Sequence, residues 1–277
     1  MSTILESNSI PATANYVHRG TGTPVILIHG LAASLHDWDD LVPELAANGY
    51  AGYALDLLGH GDSPKPASRA YHIDWVFEHF YGWMKSLRLT EPAILIGHSL
   101  GGRVALEYAR RVSAWTRGLV LVNPFYSRRQ LPLLIRKTYS RPTLSERVIA
   151  SVPEKWFRFF VNASSAAIGH SVGSLRGLPE RIREQTLLDY KRTAPGVYHI
   201  PSAIMDITNE LPQVNVPTLV VWGDKDKTLS PSSFPALVNA LPKARGEVLS
   251  AGHVPHQSHA ETFNQITLRF LKELGQS

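Results

Sequence analysis

The sequence predicts an α/β fold: a mostly parallel central sheet flanked by helices, with an inserted helical cap. Three observations carry this. Short β-branched and apolar runs alternate with longer helical patterns, the rhythm of right-handed βαβ crossovers. That rhythm stops after Val122 and resumes at Val216, leaving a stretch rich in Arg, Pro and helical patterns. The apolar runs are tetrads and pentads such as Val25-Ile26-Leu27-Ile28, long enough for buried strands and far too short to cross a membrane as helices.

The elements follow in order. Residues 25–28 read as a buried strand bounded by Gly22, Pro24 and Gly30. Residues 35–47 place Trp38, Leu41, Val42 and Leu45 on one helical face, stopped by Asn48-Gly49. Residues 50–55 form a second strand. Residues 71–87 form a helix with Trp75, Phe80 and Trp83 among its apolar positions. A third strand covers 93–96, a helix 101–111 and a fourth strand 119–122. A fifth strand covers 217–222 and a short sixth 247–249. An amphipathic helix over 260–274 closes the chain. The expected organisation is a core of residues 1–124 and 200–277 interrupted by a cap of residues 125–199.

Composition narrows the function classes. The 277 residues are 44% hydrophobic and 18% charged, which excludes global disorder. Cysteine is absent, so disulfides, thiolate metal sites and a cysteine nucleophile are excluded. The N-terminus lacks a basic start followed by an apolar stretch, so no signal peptide is expected and the cytoplasm is the expected compartment. The net charge is +5, but it is unevenly spread. Residues 125–199 hold 13 Lys and Arg against 5 Asp and Glu, whereas the remainder holds 15 against 18. The basicity thus belongs to the cap. Its plainer reading is a solvated helical face; its functional reading is attraction to an anionic lipid surface or an acidic substrate. Nucleic acid is disfavoured, because no helix-turn-helix, zinc-finger or RNP-like string accompanies the charge.

The chemistry centres on residues 93–102, where a strand (Ala93-Ile94-Leu95-Ile96) runs through Gly97-His98-Ser99-Leu100-Gly101 into a helix. A serine at the apex of a strained strand-to-helix turn needs glycine two residues before and two after, because larger side chains clash there. The pattern alone arises by chance in about one chain in ten of this length. It occurs here twice. Gly169-His170-Ser171-Val172-Gly173 follows no strand, leads into a poor helix start and lies in the cap. Ser99 is therefore the expected nucleophile, and Ser171 a loop residue. A serine hydroxyl needs a base oriented by an acid. His253 lies just past the sixth strand. Asp224 and Asp226 follow the fifth. The chain order is then Ser, Asp, His.

Four strings together make the chain resemble the α/β-hydrolase superfamily from about residue 14 onward. They are His29-Gly30, the run Asp56-Leu57-Leu58-Gly59-His60-Gly61-Asp62-Ser63, the Ser99 elbow, and the Asp226 and His253 pair. The resemblance implies that the acid is Asp226, three residues after Gly223, and that Asp224 is a turn residue. It implies an oxyanion hole from the backbone N–H groups of Leu31 and Leu100, whose side chains would line an apolar pocket. It also implies that His29 and His98 orient loops and that the 56–63 string fixes a loop. One departure stands out. Relatives often carry Glu and Pro five and seven residues after the histidine, where this chain has Ser258 and Ala260. No cofactor and no metal are expected: Pro255 interrupts the His253, His256, His259 spacing, and His256 and His259 read as surface or pocket-rim residues.

The substrate pocket is expected to include His29, Arg103, Trp156, Phe157 and Phe160. An apolar cap over a serine elbow suits a small-molecule ester with a hydrophobic part. The expected function is a serine hydrolase, carboxylesterase or lipase-like, acting through an acyl-enzyme on Ser99. The alternatives are a carbon–carbon bond hydrolase or a menaquinone-pathway-type lyase of the same fold, which a buried arginine cluster facing Ser99 would favour, and a slow-turnover ligand-binding receptor. Gly102-Arg103 resembles a string in that lyase; otherwise Arg103 reads as an exposed helix residue. Serine where relatives have aspartate argues against an epoxide hydrolase or dehalogenase.

Overall fold

The computed structural model describes residues 13–67, 70–133, 136 and 178–276. Seven strands form one sheet: β1 (Tyr16–Arg19), β2 (Thr23–Ile28), β3 (Tyr50–Leu55), β4 (Ala93–His98), β5 (Thr116–Val122), β6 (Thr218–Gly223) and β7 (Ala244–Leu249). Their spatial order is β1-β3-β2-β4-β5-β6-β7. β1 runs antiparallel to β3, with Tyr16 opposite Leu55. Every other pairing is parallel. The longer helices are α1 (Val42–Ala47), α2 (Ile73–Ser86), α3 (Leu100–Arg111), α4 (Glu180–Arg192), α5 (Ser233–Ala240) and α6 (Ala260–Leu274).

The apolar runs are continuous because both faces of the sheet are covered. Side chains alternate across a strand, so each run splits in two. Ile26, Ile28, Leu95, Leu119 and Leu121 cluster with Phe80 and Trp83 of α2 and Val104 of α3. Val25, Leu27, Ile94, Ile96, Leu219 and Val221 cluster with Leu45 of α1 and Phe263 and Phe270 of α6.

Three elements differ from expectation. β1 is an additional strand; all four of its residues are exposed, so no apolar pattern marks it, and only its pairing with β3 makes it a strand. The expected helix over 35–47 is two pieces, a 3₁₀ turn (Leu35–Trp38) capped by Ser34 and then α1. Pro43 lies in the first turn of α1, where no backbone N–H is required. β7 begins at Ala244, earlier than its apolar end suggests, because it is a largely exposed edge strand. Among the described residues between β5 and β6 there is no strand, only α4 and short helical turns.

The topology also locates a crevice. From β2 the chain crosses to β3 on one side and then to β4 on the other. Ligands bind outside the carboxyl ends of parallel strands at such a switch point. The loops leaving β2, β4, β5, β6 and β7 all emerge at this edge.

Candidate active site

Ser99 occupies the turn between β4 and α3 with φ 50° and ψ −109°, a conformation that non-glycine residues avoid. The surrounding glycines show what makes it attainable. A Cβ on Gly97 would lie 2.4 Å from the Gly101 carbonyl oxygen, and one on Gly101 would lie 2.1 Å from that of Ile28. The strained turn is held from neighbouring chain. Ser99 N donates to Val122 O at 2.9 Å, and Ser99 O accepts from Phe125 N at 2.9 Å. Leu100 is the first residue of α3, so its N–H has no intrahelical partner and points to the same edge.

His253 follows β7, and its Nδ1 lies 2.8 Å from Asp226 Oδ2. The same oxygen accepts from Asn123 Nδ2 at 2.6 Å. The other, Oδ1, accepts from the backbone N–H groups of Thr228 at 2.7 Å and Leu229 at 3.0 Å. Burial alone would raise the Asp226 carboxyl. The adjacent His253 and these donors outweigh it and hold the pKa below the ordinary carboxylate value. An ionised carboxylate only accepts, so His253 Nδ1 carries the proton of this bond; in the neutral ring Nε2 is then the acceptor, the tautomer a general base requires. Asp224 is exposed and two residues removed from this arrangement.

Asn123 is a site residue that no sequence signal marked. It is fully buried at φ 41° and joins the end of β5 to the acid. His98 makes a second cross-link. Its Nε2 lies 3.0 Å from the His253 carbonyl oxygen, which binds the serine turn to the loop carrying the histidine.

The loop after β2 is fixed from beneath. Asp56 Oδ1 accepts from Leu35 N at 2.8 Å, Oδ2 accepts from Asp62 N at 2.8 Å, and Ser63 Oγ donates to the Asp56 carbonyl at 2.6 Å. Ala32 turns the loop at φ 57°. Leu31 is half-buried and packs on the core, and Leu100 is wholly within it, so of the two only Leu31 is partly exposed.

Several expected pocket residues require correction. His29 is fully buried, with Nε2 accepting from Leu57 N at 2.9 Å and Nδ1 donating to Gly30 O at 2.7 Å, so it joins two loops and has no nitrogen left for substrate. Arg103 is neither exposed nor free to meet an anion. It is buried, pairs with Glu107 at 2.9 Å and donates to the carbonyls of Met205 at 2.7 Å and Tyr126 at 3.3 Å. His256 is 2% exposed rather than a rim residue. Trp156, Phe157, Phe160 and Ser171 lie outside the described residues. Among the described residues, one group has ligand atoms close enough to consider for a metal: Asp37, His98 and His256, within 4.8 Å of one another. The sequence spacing did not suggest this set, because its members come from three separate stretches of chain: the turn after β2, the end of β4 and the segment after His253.

The geometry finds its counterpart in known proteins. The alpha/beta hydrolase fold family model matches residues 23–260. The chain belongs to this family. It is 30% identical over 262 residues to a pimeloyl-(acyl-carrier protein) methyl ester esterase of Neisseria meningitidis serogroup B, covering 90% of this chain and 92% of that protein. It is 26% identical to Lipase 3 of a Moraxella species, covering 85% and 73%. A bromoperoxidase structure from Bacillus anthracis superposes with a TM-score of 0.79 at 24% identity, covering 93% and 94%. Family membership and the ester-hydrolase names of these relatives support a hydrolase. No helix among the described residues is long and apolar enough to cross a membrane.

Proposed function

We propose that this protein is a serine hydrolase that cleaves carboxylic esters with a hydrophobic part through an acyl-enzyme on Ser99. The observation that carries the reading is the 2.8 Å His253–Asp226 pair on a loop bonded through His98 to the strained Ser99 turn. In this reading His253 Nε2 takes the Ser99 proton as Oγ attacks the ester carbonyl. The oxyanion is held by the N–H groups of Leu31 and Leu100, each worth on the order of 3 kcal/mol in the transition state. His253 returns the proton to the departing alcohol, and water, activated by the same nitrogen, then releases the acid. The methyl ester esterases and the lipase among the relatives support an ester substrate; a cofactor is not needed for these steps. Arg103, committed to Glu107 and two carbonyls, lends no support to the carbon–carbon hydrolase or lyase alternatives.

The test is a p-nitrophenyl ester series of increasing acyl length, with and without anionic vesicles, alongside a fluorophosphonate label. Turnover with labelling at Ser99 is expected. The Ser99→Ala variant should lose at least about a thousandfold in kcat, while Ser171→Ala stays near wild type. Labelling without turnover would favour the receptor alternative, and equal loss in both folded variants would overturn the choice of nucleophile.

A further inference from the structure

Asp37 lies in the 3₁₀ turn after the β2 loop, and its side chain is 8% exposed. Its surroundings are drawn from three loops. Oδ2 accepts from the Gly30 N–H at 3.4 Å, one residue before Leu31. Oδ1 accepts from Gln257 Nε2 at 3.0 Å, four residues after His253. Oδ2 also faces His98 Nδ1 at 3.5 Å and His256 Nε2 at 3.8 Å. These imidazoles are buried, with side chains 5% and 1% exposed. Among the described residues His98 Nδ1 and His256 Nε2 have no hydrogen-bond partner, and this carboxylate is the polar group they face. The rings of His98 and His256 lie 4.5 Å apart, and those of His98 and His253 lie 4.9 Å apart.

The chain is shaped to permit this convergence. A Cβ on Gly30 would lie 2.7 Å from His98 Nδ1, so the imidazole takes the space that any other residue would fill. The His253 carbonyl can only accept, so His98 Nε2 carries the proton of their 3.0 Å hydrogen bond; burial pushes the His98 pKa down to about 4, so in the neutral ring Nδ1 packs beside Asp37 without donating to it.

We propose that Asp37 is a positioning residue for the reaction, a buried hub that sets the oxyanion loop through Gly30 and the base loop through Gln257, with the His98 and His256 rings packed against it. This rests on the ester-hydrolase reading of the same site. Asp37 touches no substrate in this scheme. It keeps three separately encoded loops in mutual register, and a shift of about 1 Å among reacting groups costs on the order of a hundredfold in rate. The hydrogen bonds of the carboxylate go to Gly30 and Gln257, and the positioning role requires no ion there.

The test uses the full chain with a p-nitrophenyl ester, counting active sites with a fluorophosphonate. Asp37→Asn keeps the shape and removes the charge. Its kcat per titrated site should fall about 10- to 100-fold with KM within twofold. Gln257→Ala, a milder change on a half-buried residue, should lower it about two- to fivefold. A role limited to stability would reduce the titratable fraction and leave kcat per site unchanged, which overturns the proposal. If Asp37→Asn does not fold, Gln257→Ala and His256→Asn decide on the same readout. One equivalent of a divalent metal in purified wild-type protein, absent from Asp37→Asn, would also overturn it in favour of a metal site. An active wild type with unaffected variants sinks the hub alone; an inactive, unlabelled wild type sinks the hydrolase reading and the hub with it.

Discussion

Arg103 shows how far a single residue's role depends on what surrounds it. From the chain it reads as either an exposed helix residue or an anion-binding group. In the structure its guanidinium is buried against Glu107, which also takes Arg110 at 2.7 Å and Arg111 at 3.1 Å. Burial opposes the Glu107 charge, yet the three guanidinium groups hold its carboxyl below the ordinary value. Removing one member of a buried network leaves its partners desolvated and unpaired, at a cost of about 3 kcal/mol or more. Arg103→Ala is therefore expected to lower the urea midpoint by that equivalent while leaving KM for anionic and neutral esters in the same ratio. A selective rise in KM for anionic esters would restore the pocket role. Asp226 and Asp224 give a similar lesson. Both carboxylates follow β6, and the difference between them is that Asp226 meets His253, Asn123 and two backbone N–H groups.

At the scale of elements, α3 is the piece on which the site rests. Its first turn crosses β2 so closely that Gly101 has no space for a methyl group: the Cβ would lie 2.1 Å from Ile28 O and 2.6 Å from His29 O. Both atoms are main chain at and just past the carboxyl end of the central strand β2 and cannot yield. Gly101→Ala should cost about 3 kcal/mol. Gly252→Ala makes the control, since nothing lies within 4 Å of its added Cβ, and it should stay within about 0.5 kcal/mol. Thermal or urea unfolding of the pair reads the difference, and equal stabilities would refute the close-crossing account. The interior strands were legible because both sides of each are apolar. The edge strand β1 was not, since Tyr16, Val17, His18 and Arg19 are all exposed and owe their conformation to β3.

Across the whole molecule, α4, between β5 and β6, is tied to the loops that follow β2 and β3. Ser34 Oγ donates to Asp189 at 2.9 Å, while Arg181 pairs with Asp40 and Arg192 with Asp62. The two arginine pairs are largely exposed and worth at most about 1 kcal/mol each. Asp189 matters more. It is buried, and burial, with the field of Asp37 added, raises its carboxyl to about 7. The folded protein therefore keeps a proton between the ordinary carboxylate pKa and about 7 that the unfolded chain releases. Its contribution to stability falls as pH rises through that window and is flat above it. Asp226 and Asp56 have the opposite sign: their pKa values are lowered, so their contribution is present above the ordinary value and is lost as pH falls through the folded one. Asp189→Asn should remove the loss on the neutral side, gaining on the order of 2 kcal/mol at pH 8 relative to pH 5. Urea midpoints at the two pH values test this, and an unchanged difference between them would contradict the assignment.

The alternating strands and helices, the serine turn and the order Ser99, Asp226, His253 were readable in the chain alone, because periodicity, glycine spacing and turn chemistry are local properties. Local pattern has no access to which separated loops meet. Asn123 beside the acid, His29 spent between two loops, and Asp37 beneath His98 and His256 became evident only when parallel strands delivered their carboxyl ends to a common edge. Polar residues far apart in the chain take on a role once burial leaves them no partner but one another.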